Sequence, residues 1–294
     1  MTYPDFEHTI LSEVTDRYAH QAEVSLTHVK KNNGLEQHGL IIYEQQFGLS
    51  PTIYLDDYYK LLCGGTPYRD ICEKIIDTYE SYKRPIGHIA ENFSDFTWVS
   101  DHIVMRLVSR SLNKELLSDV PFVPFLDLAL CFAVRIQVKS GIFGSALIHK
   151  NHADTWDTDA MELFSHAKKN AKTLLPPVVS KMEDIICDIL PEFALSKSDF
   201  PLPFYIISNN ERSYGAASIC YHGVVKELSD ELSSDLYLIP SSVHEFLAMP
   251  VIADMDIEYL NDMIRSINQS QIMPPEVLSD HTYIYHRDTD RITY

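Results

Sequence analysis

The chain has 294 residues, of which 45% are hydrophobic and 11% aromatic, enough to build one large or two ordinary packed domains. This composition is typical of a globular protein and excludes a disordered chain. The formal net charge of -18 disfavours nucleic acid and anionic membranes as direct partners, because phosphate groups are bound by clustered Lys and Arg.

The first third of the chain predicts a compact unit of helices and strands. A helix over Pro4–Ala19 is followed by three short strands, which contain residues 24–28, 40–43 and 51–55. The turn Asn32-Asn33-Gly34 tolerates positive φ. The next helix begins with Thr66 as N-cap and Pro67 as its first residue. We expect it to end before Pro85 and Gly87, which interrupt helices.

The middle of the chain predicts alternating helices and strands. Apolar residues at 103, 104, 107 and 108 indicate a helix from about Ser100 that stops at Asn113. The nearly continuous apolar run Phe122–Val138 predicts a strand buried on both faces. The elements that follow are a strand at 144–149 after Ser140-Gly141, a helix at 157–172, a break at Pro176-Pro177 and a helix at 178–189.

The last third repeats this order of elements. It predicts strands at 204–207, 215–221, 236–239 and 282–286, with helices at 224–232 and 257–267. The segments Gly144–Ile148 and Gly215–Ile219 both begin with small residues, as strands do where another element approaches closely. This similarity hints at two related ββα units.

The predicted fold class is therefore α+β. We expect mixed β-sheets with flanking helices, built from an N-terminal αβββα-like unit and two ββα-containing units. The predicted domains are an N-terminal mixed α/β subdomain over residues 1–90 and a larger α+β region over residues 91–294, with a further division near 176–200.

Several features predict a soluble, cytoplasmic protein. The five cysteines are an odd number, form no C-x-x-C pair and lie mostly in apolar stretches, as reduced and buried thiols do. The first residues, MTYPDFEHT, lack the basic and apolar regions of a signal peptide. The longest apolar run, Pro121–Val134, contains two prolines and Asp127 and is too short to span a bilayer.

The segment Asp235–Pro250 is the strongest candidate for a functional site. Ser241, Ser242, His244 and Glu245 interrupt an apolar run that is typical of a buried strand. Burying a carboxylate and an imidazole without partners is costly, so other groups must hold them. In one extended strand, His244 and Glu245 would enter opposite faces of the sheet.

Two interpretations of this cluster stay open. In a catalytic one, Glu245 is a general base or ligand, and His244 is the acid–base partner of a serine. In an architectural one, Ser241 and Ser242 cap a turn after Pro240, and Glu245 pairs with an Arg or with backbone amides. No G-x-S-x-G motif presents a serine nucleophile. Ala248 stands where the second histidine of H-E-x-x-H would be, which excludes a zinc protease of that type.

Two weaker candidates lie in the middle of the chain. His149 and His152, with Asp154 nearby, are spaced to share a metal with His166 or a remote carboxylate, although thirteen histidines make such proximity ordinary. Asp127, inside an apolar run, either faces a pocket or is neutralised by a partner such as Arg135 or a backbone amide. No Walker loop, G-x-G-x-x-G or EF-hand pattern is present, so the sequence indicates neither a nucleotide nor a calcium cofactor.

Several segments together resemble a known family. They are Asn33-Gly34, His38-Gly39-Leu40, Pro51–Leu55, Phe125–Ala129, Ala146–Ile148 with Asn151 and Trp156, Tyr214–Ala217, Ile239–Glu245 and Val277–Asp280. From near residue 20 to near residue 285, the chain is similar to the bacterial family catalogued as domain of unknown function 5688, found largely in anaerobic clostridial-type bacteria. The segment Pro-Ser-Ser-x-His-Glu is its most distinctive part. The family carries no assigned activity, so the resemblance implies a coherent fold and a cytoplasmic location rather than a chemistry.

Two classes of function follow from the sequence. The first is a non-catalytic binding or protein-interaction module, with its site near Pro240–Glu245 and a protein partner or small ligand. The second is a hydrolase-like enzyme using Ser241 or Ser242, His244 and Glu245. The missing catalytic fingerprint favours the first class. Residues 229–294 carry 12 Asp or Glu against three Arg and no Lys, which indicates a solvated acidic face or a surface for a basic partner.

Overall fold

The computed structural model describes residues 1–139, 142–189, 203–253 and 255–294. The chain divides into two compact units, one of residues 1–99 and 135–146 and one of residues 100–134 and 147–294. The α+β class is confirmed, and the sheets are antiparallel where mixed sheets were predicted. The predicted domain boundary at residue 90 stays a prediction, because a division into compact units does not show that either unit folds independently. Ser140, Gly141 and residues 190–200 of the second predicted break lie outside the described residues.

The first unit contains the predicted helix–three-strand–helix arrangement. Its elements are α1 Tyr3–Arg17, β1 Glu23–Lys30, β2 Glu36–Tyr43, β3 Thr52–Tyr54, α2 Leu55–Cys63, α3 Tyr68–Phe93 and α4 Phe96–Ser100. The strands pair in the order β1-β2-β3. Thr2 and Asp5 form a capping box that starts α1. Asn33 and Gly34 have φ of 58° and 73°, as the predicted turn requires.

Helix α3 differs from its prediction at both ends. Its N-cap is Pro67, without a side-chain cap, and the helix continues to Phe93 past Pro85 and Gly87, where we expected it to end. Ile71, Ile75 and Tyr79 at intervals of four are fully buried in the core of the unit. Most helical stability in proteins comes from such packing of an apolar face, and we attribute the tolerance of an interior proline to it.

The remaining elements follow from residue 103 onward, and all except parts of β6 and β7 belong to the second unit. They are β4 Ile103–Ser109, α5 Leu116–Asp119, β5 Phe122–Phe125, β6 Leu128–Lys139, β7 Ile142–Leu147, α6 Lys150–Thr155, α7 Ala160–Leu174, β8 Pro177–Lys181, α8 Met182–Ile189, β9 Tyr205–Asn209, α9 Val224–Leu232, β10 Leu236–Ser242, β11 Glu245–Pro250, α10 Ile257–Ser270, β12 Tyr283–His286 and β13 Arg291–Thr293. Residues 135–146, from the end of β6 and most of β7, count with the first unit.

Segment 100–113 was predicted as a helix and forms strand β4 instead. Every residue of β4 except Arg106 is buried, so the apolar run is nearly continuous. The apolar residues at positions 103, 104, 107 and 108 fit the period of a helix. A short apolar run rich in Ile and Val is equally typical of a central strand. Pairing with β6 along the whole of β4 decides between the two.

Three further predictions need correction. The run Phe122–Val138 is a hairpin of β5 and β6, whose turn contains Leu126, with φ of 55°, and Asp127. Val178 lies in strand β8, so a helix begins only at Met182. Gly215–Cys220 is a short 3-10 helix rather than a strand, and its small residues fit a backbone buried against β9 and β11.

The second unit has a six-stranded sheet in the order β13-β12-β10-β11-β9-β8. Helix α10 packs against one face, where Leu260 meets Tyr237 and Met249. Side chains alternate along a strand, so Leu238 and its cross-strand neighbour Tyr283 lie on the opposite face. Tyr283, on that opposite face, is one of the residues of the candidate site described below.

The five cysteines are free thiols; Cys72 and Cys131 are buried as expected, whereas Cys187 and Cys220 are half-buried and Cys63 is exposed. Burial raises the pKa of Cys131 to about 12 and that of Cys220 further. Such shifts keep both groups protonated at neutral pH, so they behave as small apolar side chains. None of the helices in the described part of the chain has the length and apolar character needed to span a bilayer.

Candidate functional site

The segment Asp235–Pro250 is a hairpin rather than a single buried strand. Strands β10 and β11 join through the two-residue turn Val243-His244, and Ser242 pairs directly with Glu245. The register shifts between Pro240 and Ser242, so Ser241 is a bulge. The expectation that His244 and Glu245 enter opposite faces of one strand is wrong, because His244 lies in the turn. All four polar residues instead meet at one end of the hairpin.

His244 is held by groups from three parts of the second unit. Its Nδ1 accepts a hydrogen bond of 3.1 Å from the backbone N–H of Tyr214, so the ring hydrogen is on Nε2. That Nε2 lies 3.6 Å from Oε1 of Glu276. The carbonyl of His244 accepts from the Ser208 hydroxyl at 2.8 Å. The histidine therefore links the hairpin to the loop before the 3-10 helix and to residue 276.

The two serines do not contact the imidazole. The hydroxyl of Ser242 accepts the backbone N–H of His244 at 3.1 Å, and the hydroxyl of Ser241 donates to Oε1 of Glu245 at 3.3 Å. Among the described residues, no hydrogen bond joins either hydroxyl to the ring of His244. A serine nucleophile needs a base within hydrogen-bond reach. The hydrolase stays a hypothesis, and this arrangement does not favour it.

Tyr214 extends the hairpin site inward. The centroid of its ring lies 5.7 Å from that of His244. The guanidinium of Arg106 also lies over the Tyr214 ring, 4.1 Å from its centroid. Burial lowers the pKa of Arg106, while the nearby Tyr214 acts in the opposite direction. Arg106 is the polar residue in the otherwise apolar strand β4, and stacking on an aromatic ring is a common way to accommodate a guanidinium.

Asp127 forms a second polar group at the β5–β6 turn. One carboxylate oxygen accepts the Tyr283 hydroxyl at 2.8 Å, and the other lies 3.0 Å from Nε2 of His281. Tyr294 stacks on His281 with centroids 5.0 Å apart. The sequence left open whether Asp127 faces a pocket or is neutralised by a partner such as Arg135 or a backbone amide. The structure shows that His281 and Tyr283, more than 150 residues away in sequence, hold it.

The hairpin and the Asp127 group are connected through the sheet, because Tyr283 lies in strand β12, which pairs with β10. The backbone N–H of Val243 donates to the carbonyl of Glu276 at 2.8 Å, and the ring of Phe246 contacts that of Tyr283 edge-on at 5.9 Å. We name this site the polar belt; its residues are Asp127, Ser241, Ser242, His244, Glu245, Glu276, His281 and Tyr283. The side chains in its two histidine–carboxylate pairs are between 28% and 38% exposed, so solutes reach them.

A cleft of about 340 Å³ adjoins the belt beside Leu126, which precedes Asp127. Its walls expose polar and apolar surface in nearly equal measure. The principal lining residues are Phe125, Leu126, Val225, Ile292, Tyr285, Asp290 and Lys226. The Tyr285 hydroxyl donates to Asp290 at 2.7 Å, which fixes both groups at the wall. Ligand pockets are usually concave and combine apolar walls with a few fixed polar groups, and this cleft has both elements.

The predicted metal position at His149 and His152 has a different arrangement. Nδ1 of His149 lies 2.7 Å from Asp119, and Nδ1 of His152 accepts the backbone N–H of His149 at 3.2 Å. Burial, followed by the charge of His149, lowers the pKa of His152. In the described residues, no three His, Cys, Asp or Glu side chains converge as a metal site. Asp154 and His166 are therefore not assembled with this pair.

Sequence reasoning missed Glu276, His281 and Tyr283. The only local signal was the predicted strand at 282–286, whose alternation places Tyr283 and Tyr285 on the same face. Nothing in that strand marks Asp127 as the partner. The belt depends on pairing between distant segments, which a local pattern does not encode.

The Asp127–His281 pair predicts a pH-dependent contribution to stability. The hydrogen bond that His281 donates to the Asp127 carboxylate raises the pKa of His281. Burial raises the pKa of Asp127, but the hydrogen bonds that it accepts from His281 and Tyr283 outweigh this effect and lower it. The contribution is lost as pH falls through the folded pKa of Asp127 and as pH rises through that of His281. We expect His281→Gln to lower the free energy of unfolding most between about pH 4.5 and 6.5.

Urea denaturation of wild type and His281→Gln at a series of pH values measures this difference. His8→Gln, at an exposed position of the first unit, is the matched control and should change little at any pH. A difference between wild type and His281→Gln that stayed constant from acidic to alkaline pH would contradict the ion pair.

The fold and the belt define an α+β protein with antiparallel sheets and a polar site at the end of a hairpin. The model of a family of unknown function, DUF5688, matches residues 3–287. The chain belongs to this family, which confirms the resemblance inferred from its sequence segments. Comparison with curated proteins and with solved structures gives no match.

Proposed function

We propose that the protein is a non-catalytic binding protein, with its site at the polar belt and the adjoining cleft. The cleft beside Leu126 is the observation that carries this proposal, because its walls combine apolar side chains with fixed polar groups. The belt begins at the Pro240–Glu245 hairpin, where the sequence placed the site. Here the polar groups of Ser242 and His244 form hydrogen bonds that hold the hairpin, which fits a structural role at the binding site.

The chemistry of the cleft favours a ligand with an apolar body and an acidic group. Phe125, Leu126 and Ile292 would cover the apolar part. The ammonium of Lys226, already 3.1 Å from Asp230 and about half exposed, can turn to an anion without losing a buried partner. The Tyr285–Asp290 pair would orient a donor on the same ligand.

The dye 8-anilinonaphthalene-1-sulfonate has this combination of aromatic rings and an anionic group, and its fluorescence rises in apolar surroundings. We expect it to bind the full chain, and Ile292→Trp to weaken binding roughly tenfold by filling the cleft. Val178→Trp, at an exposed position on strand β8, is the matched control and should leave the affinity unchanged. Fluorescence titration gives the three dissociation constants.

Two outcomes would overturn the proposal. Equal affinity of wild type and Ile292→Trp would show that the dye does not use the cleft. Hydrolysis of p-nitrophenyl acetate that both Ser241→Ala and His244→Ala abolish, in variants that remain folded, would establish the hydrolase instead. Circular dichroism spectra of each variant verify the fold.

A further inference from the structure

Helix α10 carries two adjacent apolar stripes, of which the fold uses one. Leu260 and Ile264 are buried, at 7% and 5% exposure. Tyr259, Met263 and Ile267 follow one another at intervals of four and are 62%, 43% and 39% exposed. Residues four apart lie on the same side of a helix, so these three form a continuous row. We name this row the α10 face.

The α10 face is more than scattered surface hydrophobicity. Single exposed apolar residues are ordinary, but three large ones in a row on one side of a helix make a contiguous patch. The buried stripe of Leu260 and Ile264 is sufficient to pack α10 on its sheet. Methionine and tyrosine are also residues that adapt to a partner surface and anchor it.

The charges around this face select the kind of partner. Residues 255–286 contain five carboxylates and one cationic side chain, Arg265, with no lysine. Arg265 bridges Glu258 and Asp262 along the helix. The carboxylates that remain in this stretch are Asp256, Glu276 and Asp280. A second copy of the chain would bring the same excess of negative charge, which disfavours self-association.

We propose that the α10 face docks a basic amphipathic helix of another protein. The partner helix places apolar side chains at intervals of three and four against Tyr259, Met263 and Ile267. Its flanking Lys and Arg side chains face Asp256, Asp262 and Asp280, which is bonded to Asn268 of α10; this sets orientation and speeds association. This surface is separate from the polar belt, since α10 covers the other face of the six-stranded sheet.

A synthetic peptide of about 18 residues, with Leu at helical spacing and Lys at its other positions, is the probe. Fluorescence anisotropy with the labelled peptide should show binding to the full chain that weakens as salt increases. We expect Met263→Ser, and separately Tyr259→Ser, to weaken binding roughly tenfold. Leu112→Ser, at a 50% exposed position elsewhere in the second unit, is the matched control and should bind as wild type does. The same peptide with Glu in place of Lys should not bind.

Three results would overturn the proposal. The first is equal peptide affinity of wild type and both α10 variants. The second is a concentration-dependent dimer in analytical ultracentrifugation that Met263→Ser abolishes, which would assign the face to a second copy. The third is a marked loss of thermal stability in both serine variants, which would mean that another part of the same chain packs on the α10 face. The peptide experiment leaves the cleft intact, so its failure does not bear on the dye-binding site.

Discussion

Replacing Gly215 with alanine is expected to destabilise the second unit by about 3 kcal/mol. A Cβ atom at this position would lie 2.2 Å from Oγ of Ser208, 2.6 Å from the carbonyl oxygen of His244 and 2.7 Å from the backbone nitrogen of Asn209. Two of these three atoms belong to the backbone, which cannot rotate away as a side chain can. The Ser208–His244 hydrogen bond that anchors the hairpin would have to open.

Urea denaturation of the full chain measures this effect as a shift of the unfolding midpoint. Gly64→Ala is the matched control, because its new Cβ would meet the carbonyls of Lys60 and Leu61 at 3.4 Å, an ordinary contact. We expect that control to change stability by less than about 0.5 kcal/mol. A Gly215→Ala protein as stable as wild type would show that the 3-10 helix moves away from the hairpin at little cost.

The first unit could be predicted from the sequence because its apolar period is strong and local. Ile71, Ile75 and Tyr79 recur every four residues in α3, and all three are buried. The turn at Asn33-Gly34 carries residues that adopt positive φ readily, and it joins β1 to β2 as expected. In this unit, local pattern and tertiary packing agree.

The candidate site could be located from the sequence, but its geometry could not. Polar residues in an apolar run drew attention to His244, and that choice of site stays a prediction. The hairpin itself was missed because the turn Val243-His244 contains neither Gly nor Asn, and neither residue has a positive φ. The bulge at Ser241, rather than a glycine in the turn, accommodates the reversal of the chain between β10 and β11. The partner Glu276 lies far along the chain, where no local pattern points to the hairpin.

The strand β4 illustrates the same limit for the fold. Leu107 and Val108 fit a helix and a buried strand equally well until β6 is known to lie beside them. In this strand, the guanidinium of Arg106 stacks on the ring of Tyr214. A polar residue in an otherwise buried strand requires a specific partner, and the ring of Tyr214 is one.

Replacing Lys83 with alanine is expected to destabilise the first unit by about 3 kcal/mol, because it leaves a buried carboxylate without its cation. The ammonium lies 2.9 Å from both Glu44 and Glu80, and the Lys83 and Glu44 side chains are only 16% and 6% exposed. Burial alone would raise the pKa of Glu44, but its hydrogen bonds from Lys83 and from other donors outweigh this and lower it. The stabilisation is therefore present above the unfolded pKa of Glu44 and is lost as pH falls through its folded pKa.

Urea denaturation of wild type and Lys83→Ala at pH 7 and at acidic pH tests both parts of this prediction, since the difference should shrink on acidification. Lys60→Ala is the matched control, because the Lys60–Asp57 pair is more than 70% exposed and such pairs contribute about 0.5 kcal/mol. Adding Glu44→Gln to Lys83→Ala removes the unpaired charge and should recover part of the loss. A double variant no more stable than Lys83→Ala would instead assign the loss to the packing of the lysine chain against Tyr18, Phe47 and Tyr79.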